Sequence, residues 1–176
     1  TVCISSQVGC NVDCKFCATG LMGFKRNLTS GEILDQVIEI NRLRDEPITN
    51  VVYMGMGEPF MNYKSVVSAS KLLNYRDGIQ LSARKITIST VGIIPKIIQF
   101  ANEGLKFKLA ISLNGTTQKN RAAIMPITKK YPLDELIDAA KYYYKKSKSF
   151  VTFEYVLMEN ETDSKEDAER LINLLK

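Results

Sequence analysis

The sequence predicts an α/β fold, an incomplete (β/α) barrel of parallel strands, on three observations. Segments typical of strands and helices alternate five times, with short connections and no β-hairpin signal. Residues 49–56 (TNVVYMGM) are apolar on both faces, like a strand buried in a parallel sheet. The chain has 176 residues, whereas a closed eight-fold barrel needs ~250, so we expect one domain over residues 1–176 that stops short of closure.

The strands are predicted from short runs of β-type residues. In the first run, Val2 and Ile4 lie two positions apart and therefore share one face of an extended chain. The predicted strands cover residues 1–7, 49–56, 85–90, 107–113 and 150–157.

The helices are predicted from their start signals and apolar spacing. Thr29 and Glu32 form a capping box ahead of an apolar face that continues to about Leu43. Asn62 is a candidate cap for the second helix, and Pro95 suits a first helical turn. The later helices are predicted over residues 62–74, 95–102, 117–125 and 163–175, with a longer one starting at residue 132.

Three cysteines form one tight loop. Cys10, Cys14 and Cys17 stand at a C-x3-C-x2-C spacing, and the chain contains no histidine. Four thiolates hold the usual [4Fe–4S] cluster, so three would leave one iron open for chemistry. The alternative is a structural zinc site with Cys3 as its fourth ligand. The spacing favours the cluster, because zinc ligands normally come in paired short spacings.

The composition indicates an ordinary globular protein. Hydrophobic residues make up 45% of the chain and charged residues 24%, and no apolar run approaches the ~20 residues that cross a membrane. Three of the four cysteines lie in one loop, which argues against a disulfide framework and predicts a reducing, cytoplasmic location. The net charge of +5 suits a polyanionic partner, although a solvated basic surface is the commoner explanation.

Polar groups follow four successive predicted strands. In parallel α/β barrels the reactive groups collect at the carboxyl ends of the strands. The first strand leads to the cysteine loop, and the second to Gly-Met-Gly-Glu58-Pro, whose glycines let the backbone approach a ligand. The third leads to Ser89 and the fourth to Ser112-Leu113-Asn114. Each alone is compatible with an ordinary turn, but together they indicate one site.

The cysteine loop, with Phe16 before its last cysteine, resembles the signature of radical S-adenosylmethionine (SAM) enzymes. Further motifs resemble the RlmN/Cfr family of RNA methyltransferases: residues 3–10 (CISSQVGC), 54–59 (MGMGEP), 88–95 (ISTVGIIP), 109–113 (LAISL) and 125–131 (MPITKKY). RlmN-type members methylate adenine C2 in 23S rRNA and tRNA, and Cfr-type members methylate C8. The Gly-Glu-Pro form favours the RlmN type.

This resemblance implies a radical SAM core that binds a [4Fe–4S] cluster through Cys10, Cys14 and Cys17. SAM would bind the open iron, with Phe16 beside its adenine and Glu58 on its ammonium group. The residues implied in SAM binding are Phe16, Gly57, Glu58, Ser89, Ser112, Leu113 and Asn114. The implied partners are ribosomal RNA, tRNA and an external electron donor such as flavodoxin.

The resemblance also implies a mechanism. One SAM methylates a cysteine in the C-terminal part of the family's proteins. A second SAM, cleaved at the cluster, gives the radical that activates this methyl group for addition to adenine. A further cysteine then resolves the protein–RNA crosslink and leaves a transient disulfide. Cys3 occupies the position of this catalytic cysteine.

Two features depart from the family pattern. Asn114 stands where the family usually has histidine, so we expect a hydrogen bond to survive there but not proton transfer. The family's accessory N-terminal domain and C-terminal segment are absent from these 176 residues, so we expect a core that does not complete turnover alone. Two alternatives stay open: another radical SAM enzyme, such as a glycyl-radical activase, and a zinc-bound RNA-binding module.

Overall fold

The computed structural model describes residues 1–176. Its strands are β1 (Val2–Cys3), β2 (Gln7–Gly9), β3 (Phe24–Asn27), β4 (Val51–Tyr53), β5 (Ile86–Thr90), β6 (Lys108–Ser112) and β7 (Val151–Glu154). Its helices are α1 (Ala18–Leu21), α2 (Ser30–Arg42), α3 (Tyr63–Asn74), α4 (Ile94–Asn102), α5 (Gln118–Ile124), α6 (Leu133–Ser147) and α7 (Lys165–Leu174). Three short 3₁₀ turns cover Pro59–Asn62, Ala83–Lys85 and Pro126–Lys129.

The main sheet has five strands in the order β1-β4-β5-β6-β7, and all four neighbouring pairs are parallel. Helices α2 to α6 lie in the connections between these strands. The prediction of an α/β fold with a parallel sheet is therefore confirmed. No helix of the chain combines the length and apolar character that a membrane crossing requires.

The chain also contains an antiparallel strand pair that the sequence analysis did not predict. Strands β2 and β3 form a second, two-stranded antiparallel sheet, in which Gln7 pairs with Asn27 and Val8 with Arg26. The predicted first strand over residues 1–7 is accordingly split between β1 and β2. The pair gave no hairpin signal because the cysteine loop and α1 separate its strands, so no tight turn marks it.

The helix-start predictions were mostly correct. Thr29 Oγ1 accepts a hydrogen bond from the Glu32 amide at 3.2 Å, and Glu32 Oε2 accepts one from the Thr29 amide at 2.9 Å, so the capping box of α2 is confirmed. Pro95 lies in the first turn of α4. Asn62 precedes α3 but its side chain does not cap it; Nδ2 donates instead to the carbonyls of Ser6 and Leu28.

The hydrophobic core lies between the main sheet and its helices. Alternate strand residues contribute to it, and the buried ones are Val2, Ile4, Val51, Tyr53, Ile86, Ile88, Leu109 and Ile111. The intervening residues point to the other face of the sheet. That face carries Cys3 at one edge strand and, further along the strands, the serine and glutamate side chains described next.

Candidate functional site

A cavity of about 280 Å³ opens at the carboxyl ends of the parallel strands. Cys10, Cys14 and Cys17 line it together with residues at or just after the ends of β4, β5, β6 and β7. This is the edge of the sheet where the sequence placed the site. The predicted site residues that line the cavity are Cys10, Cys14, Phe16, Cys17, Gly57, Glu58, Ser89 and Ser112.

The cysteine loop is held at both ends. Gly9, at φ +76°, turns the chain into the loop, and a Cβ there would lie 1.7 Å from the Gly23 carbonyl oxygen. The Cys10 amide donates to that same carbonyl at 3.2 Å. Further along, the Lys15 amide donates to the Ile124 carbonyl at 2.9 Å, which ties the loop to the end of α5. The loop is thus braced by β3 on one side and by α5 on the other.

The three thiols influence one another electrostatically. Burial, followed by the charges of Cys10 and Cys17, raises the pKa of Cys14 to about 12. Burial also raises the pKa of Cys10, with smaller contributions from Glu58 and Cys17. Cys10 and Cys14 therefore stay protonated near neutral pH, and a group that binds them as thiolates must supply compensating positive charge.

This donor set fits a cluster better than a single ion. No three or more His, Cys, Asp or Glu side chains are arranged so that they could hold one metal ion. In a four-iron cluster each cysteine binds a different iron, so the thiolates lie further apart than the ligands of a single ion. Cys3 does not line the cavity, so the structure does not place it as the fourth ligand that a zinc site would need.

Glu58 is a buried carboxylate that faces the cavity. Its Oε1 accepts a hydrogen bond from the Phe60 amide and its Oε2 accepts one from the Val91 amide, both at 2.8 Å. The Glu58 amide donates to Gln7 Oε1 at 2.8 Å. Burial raises the pKa of Glu58 to about 7, although both amide hydrogen bonds act to lower it. A cation bound beside Glu58 would keep it ionised at neutral pH.

Ser89 and Ser112 share a partner that the sequence reasoning missed. Ser89 Oγ donates to Glu154 Oε2 at 2.8 Å, and Ser112 Oγ donates to the same oxygen at 3.0 Å. The other oxygen, Glu154 Oε1, is buried and has no hydrogen-bond partner. Because Glu154 also lines the cavity, it is positioned to accept a hydrogen bond from a ligand.

A sequence signal for Glu154 did exist. The fifth strand was predicted over residues 150–157, which placed Glu154 in its interior, whereas β7 ends at Glu154 itself. Because the predicted strand continued past Glu154, the rule that reactive groups lie at strand ends did not select this residue. An acidic residue in an otherwise apolar strand was the clue.

Leu113 and Asn114 do not line the cavity. Leu113 is buried in a small separate cluster with Leu133 and Ile137. Asn114 is buried at φ +53°, and its Oδ1 accepts a hydrogen bond from the Val156 amide at 2.9 Å. Asn114 therefore joins the end of β6 to the segment after β7, and a SAM contact for Leu113 or Asn114 stays a prediction.

Cys3 lies on the cavity side of the sheet but outside the cavity. Its backbone pairs in register with Val52, which pairs with Thr87, and Ser89 is two residues further along. Two strand residues span ~7 Å. Measured along the strands, Cys3 therefore lies about that far from the position of Ser89, which lines the cavity. Its side chain is exposed, which excludes the buried core thiol that free cysteines usually form.

The structure contains no disulfide. All four cysteines are free thiols, with Cys3 exposed and the other three partly buried. The transient disulfide implied by the family resemblance therefore receives no support from this structure.

Comparisons with known proteins identify the family of the chain. Residues 4–175 match the Radical SAM superfamily. The chain is 50% identical over 179 residues to a Dictyoglomus turgidum protein named "Probable dual-specificity RNA methyltransferase RlmN", covering 100% of this chain and 51% of that relative. A Fervidobacterium nodosum protein of the same name is 51% identical over 176 residues, with 100% and 51% covered. The chain thus spans about half the length of the curated relatives it matches.

A solved structure is similar over nearly all of the chain. The crystal structure of a radical SAM methyltransferase from Sphaerobacter thermophilus superposes with a TM-score of 0.96 at 44% sequence identity, covering 99% of this chain and 52% of that one. Fold and site together define an α/β iron–sulfur enzyme. The chain belongs to the radical SAM superfamily, whose members use a [4Fe–4S] cluster and S-adenosylmethionine.

Proposed function

We propose that this chain is the catalytic core of an RNA methyltransferase that methylates adenine C2 in 23S rRNA and tRNA through a methyl-cysteine intermediate. The proposal is carried by identity of about half of all residues, over the whole chain, to proteins named as dual-specificity RNA methyltransferases. The cavity that joins the cysteine loop to Glu58 is compatible with that chemistry.

In this proposal Cys10, Cys14 and Cys17 hold the cluster. Glu58 takes the amino group of SAM, because its buried carboxylate retains free lone pairs beside its two amide hydrogen bonds. Phe16 lies at the cavity edge and is 38% exposed, so it has a free face for the adenine. When bound, the cluster and SAM together supply a carbon-centred radical. The protein positions the reactants and excludes water from them.

Cys3 is the proposed resolving cysteine. Its exposed thiol faces the same side of the sheet as the cavity, where an RNA-linked group would approach. The cluster would occupy the other three cysteines, so the methyl-carrying cysteine belongs to the complete gene product rather than to this chain. The further partners in the proposal are an external one-electron donor such as flavodoxin and a cytoplasmic pool of RNA.

The test begins with the cluster. The chain, reconstituted anaerobically with iron and sulfide, is expected to bind four irons and to show iron–sulfur absorption, as three thiolate ligands imply. Cys10→Ala, Cys14→Ala and Cys17→Ala are each expected to abolish this absorption, whereas Cys3→Ala should keep it. Zinc in place of iron, or full iron content in the triple variant, would refute the cluster assignment.

The second stage tests the substrate. The complete gene product, with SAM and a low-potential reductant, is expected to form 2-methyladenosine in both rRNA and tRNA, detected by mass spectrometry of nuclease digests. The Cys14→Ala variant is the control that should form none. Formation of 8-methyladenosine would move the specificity to C8, and SAM cleavage without any RNA product would favour another radical SAM activity.

A further inference from the structure

Arg121 on α5 is a fully buried arginine without an acidic partner. Its guanidinium donates to four neutral acceptors: Nε to the Leu113 carbonyl at 2.9 Å, Nη1 to Thr128 Oγ1 at 2.6 Å, and Nη2 to the carbonyls of Val91 at 2.6 Å and Ser112 at 3.1 Å. None of the three ion pairs in the structure includes it. These hydrogen bonds engage four of the five N–H groups, but the positive charge stays uncompensated.

The ionisable group that influences Arg121 electrostatically is the Cys14 thiol. Burial lowers the pKa of Arg121 to about 10, and the charge of Cys14 acts in the opposite direction. The backbone supports this proximity, because the Ile124 carbonyl, one helical turn after Arg121, accepts a hydrogen bond from the Lys15 amide next to Cys14.

Arg121 also supports the walls of the cavity from behind. The two carbonyls bound by Nη2 belong to Val91 and Ser112, and both residues line the cavity. The Val91 amide donates to Glu58, and the Ser112 hydroxyl donates to Glu154. The guanidinium is therefore fixed rigidly to the site, so its charge stays at a constant place relative to the cysteine loop.

From this geometry we infer that Arg121 is a positioning residue that balances the charge of the cluster-loaded cysteine loop. The inference rests on the cluster assignment made above. Loading converts three thiols to thiolates and leaves an anionic centre, and one electron from an external low-potential donor makes this centre more negative by one charge. A fixed buried cation stabilises the reduced form more than the oxidised form, so Arg121 raises the reduction potential.

The competing explanation is that Arg121 serves only as a structural brace. A brace would stabilise the cluster-free and cluster-loaded chains equally, because its hydrogen bonds are the same in both. A countercharge would stabilise the loaded chain selectively, and its loss would relieve the cluster-free chain of an uncompensated buried charge. Comparing the two forms of each variant therefore separates the explanations.

The test compares Arg121→Gln, which removes the charge, with Arg121→Lys, which keeps it but loses the planar fork. Arg170→Gln is the matched control, since Arg170 hydrogen-bonds Thr116 and Asp167 rather than the cavity walls. Three quantities are measured on the anaerobically reconstituted chain: the unfolding free energy with and without cluster, the rate of iron release to a chelator, and the midpoint potential from a dithionite titration followed by electron paramagnetic resonance.

We expect Arg121→Gln to release iron about 10- to 100-fold faster than the native chain, a range equal to the usual loss of metal affinity when a group that supports the ligands is removed. Its potential should fall, while Arg121→Lys and Arg170→Gln should keep potentials near the native value. Equal stability losses in the cluster-free and loaded forms, or equal potentials in the Gln and Lys variants, would overturn the inference.

If Arg121→Gln does not fold, Arg121→Lys decides: a native potential despite lower cluster-free stability supports the inference, and a lowered potential refutes it. A native chain that binds no iron and sulfide would instead refute the cluster assignment itself, and this outcome is visible before any variant is compared.

Discussion

Glu58 Oε2 accepts a hydrogen bond from the Val91 amide at 2.8 Å, so a single carboxylate joins the chain segments that follow β4 and β5. The two residues of this contact lie 33 positions apart in the sequence. The Phe60 amide is the second backbone group that holds the buried Glu58 side chain. Glu58 thus has a structural role at the cavity and a proposed role in binding SAM. The two roles are separable by experiment.

Glu58→Gln is expected to weaken SAM binding while leaving the cluster in place. A charged hydrogen bond contributes ~1.5–3 kcal/mol, so the loss should be roughly one to two decades in Kd. Equilibrium dialysis with SAM and iron quantification on the same sample would measure both quantities. An unchanged SAM affinity would leave Glu58 with the structural role alone.

The raised pKa of Glu58 predicts a pH dependence of folding. Its pKa is about 7 in the folded chain, against 4.5 for an ordinary glutamate, so the folded state binds more protons between these values. Stability of the SAM-free chain should therefore be full below pH 4.5, decrease as the pH rises towards 7 and level off above it. The native chain should lose up to about 3 kcal/mol more than Glu58→Gln across this window.

Urea unfolding of both proteins from pH 4.5 to 7.5 measures this difference, and the variant serves as the control for all other titrating groups. Parallel curves for the two proteins would show that Glu58 titrates at an ordinary pKa in the folded chain. Saturating SAM should flatten the native curve, because a bound ammonium favours the ionised carboxylate.

Glu154 should contribute to ligand binding through its unpartnered oxygen. Glu154→Gln keeps an oxygen for Ser89 and Ser112 but presents amide hydrogens to any hydroxyl or ammonium donor in the cavity. We expect SAM affinity to fall by about tenfold, the value of one net hydrogen bond, while the cluster-free chain keeps its stability. Ser112→Ala is the milder comparison. Native SAM affinity in Glu154→Gln would assign Glu154 to bracing the two serines.

Much of this site could be predicted because its residues follow strands whose order the sequence reveals. The cysteine loop, Glu58, Ser89 and Ser112 were found in this way, and the cavity brings them together. Arg121 was not predicted to be buried beside the site, because it lies in a short polar helix, QKNRAAI, where a lone arginine resembles a solvated surface charge. Its burial depends on carbonyls from two other strand ends, which no local pattern records.

The β2–β3 pair was missed for a related physical reason. Antiparallel strands are recognisable in a sequence when a tight turn joins them, and here the cysteine loop and α1 lie between the two. The pairing instead gives the loop a rigid base, because β2 ends at Gly9, one residue before Cys10. The small sheet is therefore indicated by the cysteine loop, which it supports, rather than by the sequence of either strand.

Gly57 should tolerate no side chain. Its φ is +99°, and a Cβ there would lie 2.5 Å from Gln7 Cβ. Gly104 is a suitable control, because its φ is +64° and a Cβ would meet nothing within 4 Å. Both Ala variants should lose ~1–3 kcal/mol to backbone strain, and Gly57→Ala should lose more through the clash. Equal losses by thermal unfolding would show that residue 7 moves aside at no cost.

Cys3 is the site of the last prediction, which concerns the release of the RNA product. The thiol is exposed, shares the cavity side of the sheet and lies outside the cluster loop, so its removal should leave cluster content and SAM cleavage unchanged. Cys3→Ala in the complete gene product is expected to accumulate a covalent protein–RNA adduct, because no thiol resolves the crosslink. Denaturing gel electrophoresis with labelled RNA detects the adduct, and Cys3→Ser is the matched variant that keeps the size but not the nucleophile. Normal yields of methylated RNA from either variant, without an adduct, would exclude the resolving role and leave Cys3 as an exposed residue of an edge strand.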